Sequence, residues 1–234
     1  MPLREKFRGS PAFVRAAPFI LFVMLTAAQG KFGAASAYWF YLAKTLVGVW
    51  LIWQMRPFIS EMRWAFSWEA VLVGVGIFAV WIGVSGEWTT QSSLWVKLGL
   101  AHSPGKFAVA WNPNEQFGSG SALAWLFIAT RIFGSTFIVP PLEEVFYRSF
   151  LYRYVASQDF LSVPLAKFLP LPFIFTALIF GLSHNEWLAG IICGMAYQWL
   201  VLRKNRLGDA MTAHAITNFL LGLWVVTRGA WHFW

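Results

Sequence analysis

Pro140-Pro141-Leu142-Glu143-Glu144-Val145-Phe146-Tyr147-Arg148 sets two adjacent carboxylates and a guanidinium inside sequence that otherwise reads as membrane. An ionisable side chain near the bilayer centre costs about 2.5–3.5 kcal/mol on insertion scales and more in simulations. The acidic pair therefore needs a reason. On a helix advancing about 100° per residue, Glu144 and Arg148 lie one turn apart on one face and are placed to pair. Glu143 points away from that face and lacks the local partner. Taken alone, the stretch is accounted for by a structural ion pair plus a carboxylate that snorkels to the interface. The alternative is a buried carboxylate waiting for a proton, and residues downstream decide between them.

The surrounding chain is 58 % hydrophobic and 12 % charged over 234 residues, with 15 Trp and 23 Phe, too apolar for a soluble domain of this size. Mostly apolar runs recur along it, each near the ~20 residues that cross a bilayer. The expected fold is all-α, a polytopic transmembrane helical bundle of about seven to eight membrane helices. The tryptophans suit helix ends at the headgroup level. The net charge of +8 lies between apolar runs rather than in one patch, which argues against nucleic acid and for a positive-inside bias. Cys193 is the only cysteine, so an intrachain disulfide or a cysteine metal site is excluded.

Spans are expected at 16–28, 37–55, 68–85, 122–139, 168–186, 187–202 and 207–227, with the Pro pair bending the chain into a glutamate helix over 141–156. Arg56-Pro57 stops the second span, and Gly74 and Gly76 allow close helix contact in the third. The basic N-terminus before the first span also fits a signal peptide, but the later spans favour an uncleaved helix. Residues 86–120 form the longest polar interruption, with a surface helix expected near 91–101. Gly118-Ser119-Gly120-Ser121 leads into the next span and lacks the Lys-Ser/Thr ending of a phosphate loop. Gly190 and Gly194 have small-xxx-small spacing for helix packing. A cytoplasmic N-terminus puts Arg56/Arg63, Arg148/Arg153/Lys167 and Arg203/Lys204/Arg206 on the same side. The expected organisation is 1–121 as N-terminal helices and external loop, and 122–234 as the catalytic region of one membrane unit.

Of four histidines, His102 and His232 fall in polar surroundings. His184 shares a helical face with Phe180, and His214 with Asn218. Either pair alone reads as polar glue between helices. Three polar constellations in three apolar helices suit peptide hydrolysis better. A glutamate assisted by a histidine can take a proton from water as it attacks a carbonyl. A second histidine and an amide can donate to the oxyanion. A metal reading uses the same atoms, with Glu143, His184 and His214 as three zinc ligands and one open position.

Glu143-Glu144-xxx-Arg148, Phe180-xxx-His184 and His214-xxx-Asn218 resemble, in order, the three motifs of the CPBP family, which includes type II CAAX prenyl endopeptidases and bacteriocin-processing or self-immunity proteins. The resemblance covers about residues 122–227. It implies Glu143 as catalytic base and His184 as its partner, His214 and Asn218 as oxyanion donors, and Glu144 with Arg148 as a brace. The family is often labelled metalloprotease, yet its membrane-embedded members look like metal-free glutamate proteases. The length and the long loop are similar to a bacterial subset associated with exosortase-type sorting.

The expectation is thus an intramembrane endopeptidase of a bacterial cytoplasmic (inner) membrane. It would cleave a membrane-bound peptide or protein and contact the lipid bilayer, with no cofactor required and zinc as the alternative. A non-catalytic immunity or scaffold protein of the same family and a proton-coupled transporter are the rivals; an internal repeat, absent here, would support the latter. A rhomboid-like serine site wants Gly-x-Ser-Gly, whereas Gly181-Leu182-Ser183 is followed by His184. A presenilin-like site wants two membrane aspartates, and Asp159 and Asp209 lie in polar connections.

Overall fold

A computed structural model of the chain describes residues 2–101 and 111–234, so His102 and Lys106 lie outside the described residues. The fold is all-α, with no strand among the described residues. The chain falls into two compact units, one of residues 1–62, 109–146 and 218–234, the other of 63–108 and 147–217.

In the first unit, α1 (Leu3–Gly9) precedes α2 (Pro11–Ala27) and α3 (Ser36–Met55). The Ser10 hydroxyl accepts from Phe13 N at 3.1 Å and Pro11 occupies the first turn, the combination that starts a helix. Arg15 Nη2 meets Glu61 Oε1 at 2.8 Å, tying α2 to the segment after α3. After α6 (Pro113–Phe117), capped by Asn112, comes α7 (Ala122–Phe133), capped by Ser121. Tyr38, Tyr41, Trp111 and Phe127 form an aromatic core with Phe117 and Trp234 packed against it. At Gly48 a Cβ would lie 2.3 Å from the Ile138 side chain, so α3 runs directly against the chain that leads to the glutamates.

That chain stays helical through its prolines. A single helical run of 35 residues spans Ala122–Ala156, where a span and a separate helix were expected. It absorbs the prolines by widening. A π turn over Gly134–Ile138 precedes α8 (Val139–Glu144), and a second over Val145–Leu151 precedes α9 (Tyr152–Ala156). Proline has no N–H and clashes with the carbonyl four residues back. In the first π turn Val139 N donates to Gly134 O, five residues back. Pro140 and Pro141 then sit in the first turn of α8, where their missing N–H groups cost least.

In the second unit, α4 (Trp68–Val84) is capped by Ser67, and α5 (Gln91–Lys97) by Thr90. α10 (Pro170–Leu182) and α11 (Trp187–Lys204) follow, then α12 (Gly208–Arg228), whose first half belongs here. A Cβ on Gly181 would lie 2.3 Å from Ile191, one on Gly190 2.8 Å from Gly181 Cα, and one on Gly194 3.1 Å from Ala177 Cα. The small residues of α11 thus let two backbones touch, as their spacing suggested. Gly74 plays the same part between α4 and α12, with Ala213 O 2.7 Å from its hypothetical Cβ, whereas Gly76 faces open space and contributes no contact. Asn205 takes φ 50 after α11, a left-handed stop that asparagine tolerates. The Tyr152 hydroxyl donates to Lys167 O at 2.8 Å and accepts from Leu169 N at 2.9 Å, closing the connection into α10.

Candidate functional site

The first unit holds both glutamates and Asn218. Glu144 is completely buried and Glu143 half-buried on α8. Asn218, on α12, donates from Nδ2 to Ser135 O at 2.8 Å. The π turn explains this bond. With five-residue spacing, the donor for Ser135 O would be the backbone N of residue 140, and Pro140 has no N–H. A buried carbonyl left without a donor is costly, and the amide of Asn218 fills the gap. Its second N–H remains available for another acceptor.

The second unit holds Arg148, His184 and His214, brought together by two aromatic rings. The Arg148 guanidinium lies 4.4 Å from the Phe180 ring centroid and 5.7 Å from that of Tyr197, and Nη2 donates to Gly194 O at 3.2 Å. His184 lies 4.6 Å from the Phe180 ring and His214 6.2 Å from it. His214 also stacks on Tyr197 at 5.1 Å. Tyr197 is held in turn, its hydroxyl donating to Thr217 Oγ1 at 2.8 Å while that hydroxyl reaches Gly74 O, also at 2.8 Å.

Sequence alone leaves one difficulty, since His184 falls late in its span and His214 early in another. The structure meets it by ending α10 at Leu182, after 13 residues. His184 lies past the helix in a turn, with its N donating to Gly181 O at 3.0 Å. Its Nδ1 is 2.7 Å from Phe180 O. A carbonyl only accepts, so Nδ1 carries the proton and Nε2 of the neutral ring presents a lone pair. That is the tautomer a proton acceptor needs.

Gln198 on α11 is a residue that the motif-based reading passes over. It is 1 % exposed, and neither amide atom has a hydrogen-bond partner among the described residues. The signal for it was an amide inside an apolar run. As for the metal alternative, no three His, Cys, Asp or Glu side chains gather as a metal site among the described residues.

Apolar helices long enough to cross a bilayer, Ala122–Ala156 and Gly208–Arg228 among them, fit an integral membrane protein. Residues 123–220 match the family model described as type II CAAX prenyl endopeptidase Rce1-like, so this segment is similar to the CAAX protease family. No curated protein and no solved structure matches the chain.

Proposed function

We propose that the protein is an intramembrane endopeptidase of the glutamate type that hydrolyses a peptide bond in a membrane-associated protein. Glu143 takes the proton from the attacking water, assisted by His184, whose Nε2 lone pair suits that part. His214 and Asn218 donate to the oxyanion, and Glu144 with Arg148 holds the surrounding structure. In this form no step needs a bound metal, since a glutamate and an imidazole suffice for a general base. The reading places the protein in a bacterial cytoplasmic membrane with its N-terminus inside.

The observation that carries the reading is that one family match spans all three polar constellations, from Glu143 to Asn218. The experiment is peptide N-terminal sequencing from membranes with and without Glu143→Gln. A peptide whose new N-terminus vanishes in the variant identifies the substrate. Identical peptide sets from both would end the protease reading.

A further inference from the structure

The first unit carries two cations that the proposed chemistry does not use. Lys44, on α3, is 5 % exposed, and its Nζ donates to Thr26 Oγ1 at 3.0 Å. Arg131, on α7, is half-buried among three rings, 4.9 Å from the centroid of Tyr41, 4.6 Å from Trp111 and 5.4 Å from Trp234. The two cations share one ring, since Lys44 Nζ lies 4.4 Å from the centroid of Tyr41.

Lys44 has Thr26 as an acceptor, whereas Arg131 is surrounded by ring faces and a donor. The Arg131 guanidinium has no hydrogen-bond acceptor among the described residues. Trp111 Nε1 is buried and has no acceptor there either. Glu143, on α8, is the carboxylate that acts on Lys44. Residues 102–110, outside the described part, contain no acid. Arg131 thus lies in a low-dielectric interior beside a second cation, with no acceptor of its own among the described residues.

We propose that Arg131 and Lys44 bind the phosphate of an anionic membrane lipid. A guanidinium offers a planar fork that grips a phosphate through two N–H groups, and a neighbouring ammonium adds a point charge. Tryptophan and tyrosine are the residues found where headgroups lie, and basic pockets between membrane helices take lipid headgroups. The bilayer supplies phosphate at that level without delivery. On α7 the exposed Trp125 and Phe133 offer apolar surface to the acyl chains. Lipid retention is read independently of cleavage, so the proposal survives a failure of the peptidase reading.

The test uses the full chain purified in an uncharged detergent, mixed with phosphatidylglycerol, phosphatidylcholine or inorganic phosphate. Native mass spectrometry reads the retained lipid and a thermal scan reads the stabilisation. The wild type should retain phosphatidylglycerol at least about tenfold better than phosphatidylcholine and unfold at a higher temperature with it. Arg131→Gln and Lys44→Met should lose both effects, and Arg131→Lys should keep part of them. Equal retention by the wild type and both neutral variants would overturn the proposal. Should neither variant fold, equal retention of the two lipids by the wild type overturns it alone. Inorganic phosphate reproducing the full stabilisation overturns the lipid source. So does a peptide that protects through its free C-terminal carboxylate, but not as its amide, when phosphatidylglycerol does not.

Discussion

Asn218 donates to the carbonyl oxygen of Ser135 at 2.8 Å, the one carbonyl of the first π turn that Pro140 leaves without a backbone donor. A residue assigned to the oxyanion therefore also holds a helix together.

The two duties separate by mutation. Asn218→Ala should lower stability by about 1–3 kcal/mol, the cost of stranding a buried polar group. Pro140→Ala in the same chain restores an N–H for Ser135 O and should return part of that stability without returning activity. Thermal unfolding and cleavage on one preparation decide, and an unchanged midpoint in Asn218→Ala would count against the bond.

The glutamates should fail in different ways. Glu143→Gln, at a half-buried position, should abolish cleavage and leave the unfolding temperature nearly unchanged. Glu144→Gln, at a completely buried one, should cost about 1.5–3 kcal/mol, as lost hydrogen bonds to charged groups do, with activity falling secondarily. If Glu143→Gln cleaves normally while Glu144→Gln folds but is inactive, the two roles are exchanged.

A chelator should leave cleavage intact. The check is activity before and after exhaustive dialysis against a strong zinc chelator. Loss on dialysis with recovery on adding zinc would sink the metal-free form.

Gly181→Ala or Gly190→Ala should each destabilise by about 1–3 kcal/mol or more, because the added methyl must displace backbone. Gly76→Ala, facing open space, should be neutral or slightly stabilising, since alanine is the better helix former. Equal midpoints for Gly181→Ala and Gly76→Ala would refute the close contact of α10 and α11.

Gln198→Met keeps the volume and removes an amide with no partner among the described residues. It should raise stability by about 1–3 kcal/mol and lower the cleavage rate. A stability gain with unchanged cleavage would make Gln198 a packing residue only.

Long apolar runs closed by proline or charge were legible. Residues 37–55 were expected and Ser36–Met55 is helical; 68–85 and 207–227 agree as closely with Trp68–Val84 and Gly208–Arg228. Hydrophobicity fixes such elements without help from neighbours. The unbroken helix through Pro140-Pro141 was not legible, because sequence rules assume α-helical spacing and a π turn depends on an outside donor such as Asn218. The surface helix near 91–101 proved shorter, ending at Lys97. Gly74 and Gly76 look alike in sequence, and only the packing of α12 tells them apart. Phe180 was seen to share a face with His184, but its place between both histidines needed the early end of α10. Gln198 escaped because no short motif surrounds it.

The widened turn at Gly134–Ile138 works as a fixed angular offset between Arg131 and Glu143. Substitutions that spare Pro140 and Pro141 leave the offset intact, whereas deleting one residue from the turn would swing Glu143 through about 100° relative to α7. The phase of the acidic residue is therefore set by how many residues lie between them more than by which ones. Related chains that keep this chemistry should vary more in letter along the stretch than in length.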